Sequence, residues 1–132
     1  MKMEISFPGG MKVNAQFEHH LIKTDQPKKE GGEETAPEPL TYFIASIGTC
    51  AGVYILHFCK KRNLPMKYIR IITETEKDTD THLIKKIMIT IHLPSDFPQQ
   101  YEKAVIRAAD QCTVKKLLVT PPEITITTLK QP

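Results

Sequence analysis

The sequence is short of the features that would place it in a specialised class at once. No charge dominates: 18 Lys and Arg against 15 Asp and Glu leave a net charge of +3. That is too little for a nucleic-acid partner, which needs basic side chains gathered on one face. The lysine pairs at 28–29, 60–61, 85–86 and 115–116 are scattered, with no aromatic residues interleaved, the pattern of a solvated surface. The N-terminus, Met1-Lys2-Met3-Glu4-Ile5, alternates and carries charge, so the apolar core of a signal peptide is absent. Cysteine is scarce, at Cys50, Cys59 and Cys112 only. Without an export signal the expected compartment is the reducing cytoplasm, where a cysteine pair is more often catalytic or metal-binding than structural. Metal spacings such as Cys-x-x-Cys or His-Glu-x-x-His are missing. His19 and His20 are neighbours on an expected strand and would face opposite sides, so one ion would rarely take both. No metal and no cofactor is expected.

One absence is local. From Pro39 to Cys59 there are 21 residues without a formal charge, followed by Lys60-Lys61-Arg62. Length and flank would suit a membrane span. Thr41, Ser46, Thr49 and His57 lie within the segment, no second span follows, and patterned strands lie on both sides. A helix apolar all round is equally the buried centre of a soluble fold. That is the reading adopted, with no membrane partner.

What is present is ordinary for one α+β domain of 132 residues. A chain of this size can bury roughly two-thirds of its unfolded surface. Met3, Ile5 and Phe7 alternate with polar residues, as do Met11, Val13, Ala15 and Phe17, with Pro8-Gly9-Gly10 between them. This is a hairpin with one buried face, and residues 19–23 extend it or begin a third strand. Residues 25–37, rich in Pro, Gly, Lys and Glu without apolar anchors, read as a mobile loop. The uncharged helix starts at Pro39, suited to a first turn, and ends before Pro65. Ile69, Ile71 and Thr73 mark one strand and Ile87, Ile89, Ile91 and Leu93 the next, joined through Asp78-Thr79-Asp80-Thr81. Ser95 or Asp96 would cap a second helix, Asp96 with Gln99 forming a capping-box variant. Tyr101, Val105, Ala108 and Cys112 are its apolar stripe. A short helix at 113–118 and a strand at 123–129, after Pro121-Pro122, complete the order: strands, buried helix, two strands, two helices, strand.

Within the uncharged helix, Gly48 and Gly52 point away from Cys50 and, with Ala45, make a small-residue face for close packing, either inside the chain or against a partner helix. The face of Cys50 carries Phe43, Ser46, Ile47, Val53, Tyr54 and His57. Cys112 precedes a helix start, a place where a thiolate can be stabilised. Cys59 lies nine residues from Cys50, ~13.5 Å along the axis. A disulfide needs Cα atoms within roughly 7 Å, so these two cannot bridge while the helix stands. Cys59 reads as packing.

The stretch Pro39-Leu40-Thr41-Tyr42-Phe43-Ile44-Ala45-Ser46-Ile47-Gly48-Thr49-Cys50 resembles the proline, apolar helix and cysteine of the OsmC-like, organic-hydroperoxide-resistance family. The exit Lys60-Lys61-Arg62-Asn63-Leu64-Pro65 resembles it too, as does Ala108-Ala109-Asp110-Gln111-Cys112-Thr113-Val114-Lys115-Lys116-Leu117. The likeness runs from about 39 to 129. It implies an intertwined homodimer with active sites at the subunit interface. It further implies that Cys50 is the peroxidatic cysteine and Cys112 the resolving one, that a hydroperoxide or related electrophile is the substrate, and that a thiol reductant resets the pair. Two departures stand out. Similar peroxidases place an arginine in the N-terminal strands, and this chain has none before Arg62. They place a glutamate after the motif proline, where this chain has Leu40 and Thr41, and Glu38 lies before the proline. Lys12 is a candidate replacement cation without arginine's planar fork. The reading is therefore a thiol-dependent peroxidase reducing organic hydroperoxides, weak for want of that pair. The alternative is a non-catalytic or ligand-binding dimer on the same scaffold.

Overall fold

A computed structural model describes residues 1–132. The expected single domain is built as two compact units, Met1–Ser46 and Ile47–Pro132, whose boundary falls inside one long helix.

In the first unit, strands β1 (Glu4–Gly9), β2 (Lys12–Phe17) and β3 (His20–Thr24) form an antiparallel sheet in that order. The alternation predicted from sequence sets the register: Ile5 pairs with Ala15, and Ala15 with Ile22. The register shifts between Ser6 and Gly9, on either side of Pro8, because proline brings no N–H to the ladder. The expected buried face is not buried. Ile5 is 53% and Phe7 79% exposed, since a sheet hides a face only where a second layer packs on it.

Residues 25–37 also differ from expectation, in having an anchor. It is polar. Asp25 is 1% exposed, and its carboxylate accepts the Thr35 hydroxyl at 2.7 Å, the Thr35 N–H at 3.1 Å and the Gln26 N–H at 2.8 Å. A single 3-10 turn at Lys28–Glu30 and a backbone bond from Asp25 N–H to Pro37 O close the loop on itself. Gly32 is required there, because a Cβ would lie 1.9 Å from the Gln26 carbonyl oxygen.

Helix α1 (Pro39–Lys61) runs through the unit boundary. Its C-terminus closes as a Schellman motif: Asn63 turns left-handed at φ 53°, its N–H reaches Lys60 O, and the Leu64 N–H reaches Cys59 O. The helix is long and apolar enough to cross a bilayer. Burial is confined to one stripe, Ile47, Ala51, Ile55 and Cys59, at the i, i+4 spacing of one helix face. Leu40 and Val53 stay about half exposed, at 49% and 48%. A helix apolar on every side is thus covered by its own chain on one side only. The small-residue face packs inside the chain. A Cβ at Gly48 would meet Thr73 Oγ1 at 2.6 Å, and one at Gly52 would meet Ile71 Cδ1 at 3.4 Å.

Thr73 and Ile71 belong to β4 (Arg70–Lys77), which pairs antiparallel with β5 (Ile84–His92). Asp78 organises the connection, accepting the N–H groups of Asp80 and Thr81 at 2.9 Å each. Ile55, Cys59, Phe97 and Val105 form the core of this unit, with Phe58, Ile71 and Ile91 packed around them. Helices α2 (Glu102–Asp110) and α3 (Thr113–Val119) follow. The capping box at Asp96 and Gln99 does not form. Pro98 keeps the residue before it out of helical conformation, so Phe97 turns into the core, a 3-10 turn follows at Gln99–Tyr101, and α2 begins at Glu102. The strand expected at 123–129 is not formed either. A strand needs a ladder partner, and here Ile124, Ile126 and Leu129 are 82%, 92% and 93% exposed.

Two outcomes follow. Gly48→Ala gains helix propensity of about 1 kcal/mol, but overpacking against Thr73 costs about 1–3 kcal/mol. Urea unfolding is expected to show net destabilisation at Gly48 and a neutral or stabilising effect for Gly52→Ala; the reverse order would contradict the packing described. At Asp25 the Thr35 hydroxyl, then the Thr35 N–H, hold the carboxyl at about 2 against an ordinary 3.8. The folded state then binds fewer protons than the unfolded one between these values. The contribution is complete above the unfolded value and disappears as pH falls through the folded one. Amide exchange at Thr35 and Gln26 should stay protected at pH 3 and open near pH 2; Asp25→Asn should open both at neutral pH.

Candidate functional site

Cys50 lies near the middle of α1, between the buried Ile47 and Ala51, and is partly exposed. The chain brings the start of α3 to it. The N–H groups of Gln111 and Cys112 bond back to Ala108 O and Ala109 O, ending α2, and α3 begins at Thr113. The first four N–H groups of a helix have no acceptor inside it. The Lys116 N–H closes the first bond of α3 itself, to Cys112 O at 3.1 Å. The Lys115 N–H bonds Cys112 Sγ at 3.5 Å, so Cys112 is the cap of α3. The Thr113 and Val114 N–H groups lie near enough to Cys50 to lower its pKa, and the Val114 N–H acts on Cys112 as well.

The two thiols are shifted in opposite directions. The Cys50 pKa is lowered from its ordinary 9.0, chiefly by the Val114 N–H, with the Cys112 thiol and the Thr113 N–H adding to it against partial burial. The Cys112 pKa is raised, first by burial, with its nearness to Cys50 adding to the rise and the Lys115 and Val114 N–H groups acting in the other direction. Cys112 is 1% exposed. Its single S–H has two acceptors in reach, Ile47 O at 3.8 Å and the Cys50 sulfur. Once Cys50 ionises, the charged sulfur is the stronger acceptor. One thiolate beside one thiol is the state that nucleophilic attack followed by disulfide closure requires.

The two cysteines singled out in the sequence are therefore together. The expectation that the helix start would stabilise a thiolate at Cys112 is corrected: Cys112 caps the helix, and the stabilised sulfur is Cys50. The groups that lower the Cys50 pKa are backbone N–H groups and the Cys112 thiol, with no cation among them. Lys12 pairs with Glu33 at 3.1 Å within the first unit. Cys59 is fully buried in the core, and burial raises its pKa, partly offset by the Arg62 charge. The histidine pair differs from expectation: His19 sits in the turn and His20 opens β3, so the rings lie 4.0 Å apart rather than on opposite faces.

Two features were not identified as parts of a site from the sequence. Tyr54, one helical turn beyond Cys50, places its hydroxyl 3.1 Å from Thr113 Oγ1. Its i+4 spacing was the available signal. Beside Cys112 lies an apolar groove of about 510 Å³, walled by Ile47, Ile87, Ile91, Ile106 and Leu118, with Asp110 and Lys115 also lining it. Those two side chains are ion-paired. The groove joins residues far apart in sequence and could be found only by folding.

A mid-helix cysteine facing a capping cysteine, with antiparallel sheets of this order, defines an OsmC-type fold. The sequence model of the OsmC-like protein family matches residues 31–127, and the chain belongs to that family. Solved structures agree on the fold. A Psychrobacter arcticus protein named for osmotic-stress induction and detoxification has a TM-score of 0.74 at 17% identity, over 88% of this chain and 86% of that one. An organic hydroperoxide resistance protein OsmC from Legionella pneumophila gives 0.59 at 18%, over 89% of each. The organic hydroperoxide resistance protein OhrB of Bacillus subtilis gives 0.52 at 19%, over 89% and 90%. No curated protein matches the sequence.

The site predicts an order of reactivity. With limiting iodoacetamide at neutral pH, peptide mapping should find Cys50 alkylated first and Cys59 last. Raising the pH toward 9 should narrow the gap, because the thiolate fractions converge. Equal labelling of all three at neutral pH would remove the basis for separating their roles.

Proposed function

We propose that this protein is a thiol-dependent peroxidase for organic hydroperoxides, working as a homodimer in the reducing cytoplasm. One observation carries the reading: Cys50 and Cys112 lie side by side at the start of α3, with the Cys50 pKa lowered, chiefly by the Val114 N–H, and the Cys112 pKa raised by burial. In the first step the Cys50 thiolate attacks the terminal oxygen of ROOH. The O–O bond breaks, a Cys50–oxygen bond forms, and the leaving alkoxide takes a proton to become ROH. Cys50 is then a sulfenic acid. Cys112 attacks its sulfur, water departs, and a Cys50–Cys112 disulfide remains. Two electrons and two protons from a thiol reductant restore both thiols. The apolar groove beside Cys112 supports an organic substrate over hydrogen peroxide. The organic hydroperoxide resistance proteins among the solved structures support the same substrate class.

The dimer is supported by what one chain leaves uncovered. Phe7 and Ile5 on the first sheet, Val53 on α1, and Ile124, Ile126 and Leu129 in the final segment all remain exposed. Each unit thus leaves large apolar side chains in water, which a second copy could cover. A second copy that pairs the segment 123–129 as a strand would cover them. The missing N-terminal arginine favours a second reading, a ligand-binding dimer without turnover.

The test is chemical. Cumene hydroperoxide should consume two thiols per chain and link Cys50 to Cys112, leaving Cys59 reduced. Cys50→Ser should abolish peroxide consumption, Cys112→Ser should trap a sulfenic acid, and Cys59→Ser should change neither. Three unreacted thiols at peroxide levels that oxidise ordinary redox cysteines would leave the ligand-binding reading. Light scattering should give twice the 15.0 kDa chain mass; a folded monomer at micromolar concentration would sink the dimer.

A further inference from the structure

Two backbone N–H groups can serve the Cys50 sulfur only while the first turn of α3 stays where it is. That turn belongs to a helix of seven residues, too short to be stable in water by itself. Its residues are mostly exposed. Something outside α3 must fix it. Cys112 holds the turn from within, through its cap to Lys115. Across to α1, Tyr54 and Thr113 share a side-chain hydrogen bond of 3.1 Å, and the Cys112 Sγ reaches Ile47 O at 3.8 Å. Thr113 also supplies one of the two N–H groups, and Val114 follows it directly. Tyr54 projects from the same face of α1 as Cys50, about 6 Å further along.

We propose that Tyr54 is a positioning residue for the thiol site: through the Thr113 side chain it holds the start of α3 over Cys50, between the Tyr54–Thr113 bond on one side and the Cys112 contact with Ile47 O on the other. The inference deepens the peroxidase reading, because it names what stands in for a thiolate-holding cation. Tyr54 does not touch the reacting atoms. Its hydroxyl bonds the hydroxyl of Thr113, and its effect passes through the peptide groups. The titratable group acting directly on Cys50 is Cys112, whose S–H reaches it from the α3 side. Tyr54→Phe removes one oxygen atom and leaves that contact in place.

The readout is the pH profile of Cys50 alkylation by iodoacetamide, followed by peptide mapping on the full chain, which needs no peroxide. Tyr54→Phe is expected to raise the midpoint of the profile by about half a pH unit or more, a fall of about threefold in rate at neutral pH. Thr113→Val should do the same, Thr113→Ser should restore the original profile, and the double variant should add nothing to either single one. A purely structural role would lower the thermal midpoint and leave the profile unchanged. An unchanged profile in folded Tyr54→Phe, or additive shifts in the double variant, would overturn the proposal. The peroxidase reading fails separately, on peroxide consumption by the unaltered protein.

Discussion

A thiolate inside a protein must be solvated by something, and the groups beside Cys50 that favour one are N–H groups at the start of α3. Thr113 and Val114 have N–H groups that α3 has no carbonyl to receive, and Cys112 takes the next one. The rest of the site follows from that accounting. Cys112 has to be the cap, which places its sulfur beside Cys50. As cap it is buried and stays protonated, which suits the second thiol of a pair. Cys112, where α2 gives way to α3, also lines the apolar groove. Charge is not needed to bias such a site when directed dipoles are close and fixed.

The same geometry depends on how α1 lies on its sheet. Gly48 lets Thr73 come within a distance that no side chain would permit, and Ile47, Ala51 and Ile55 seal the adjoining stripe. Cys50 is then carried on a helix that cannot rotate, while α3 remains a short, exposed element. One sulfur is fixed and the other sits at a junction of two helices. Disulfide closure asks for movement at the junction, where backbone rearrangement is least costly.

Much of the fold was legible because it is written in local periodicity. Strands near Ile5, Val13, Ile71 and Ile89 alternate, and the uncharged run from Pro39 is a long apolar stretch that ends before Pro65, so each of these elements was found in its place. Errors came where a rule of neighbours depends on something distant. The strand at 123–129 has the right alternation but no ladder in its own chain. Ile5 and Phe7 have a buried-face pattern but nothing over them. Asp25 anchors its loop through a carboxylate, and an anchor sought among apolar residues misses it. Pro98 defeats a capping box that Asp96 and Gln99 spell correctly.

For the site, the sequence by itself determined which sulfurs to compare. Cys50 and Cys112 stand out by motif, and Cys59 is excluded by helical geometry, since nine residues place it too far along the axis to reach Cys50. What only the tertiary structure decided is how those sulfurs differ. The donors are peptide N–H groups, which every residue but proline carries, so no residue type marks them in advance. They act on Cys50 only because α3 starts beside α1, where Cys112 caps it and Thr113 meets Tyr54. A side-chain cation can be read from a sequence, whereas a backbone dipole acquires its direction only when the chain is folded.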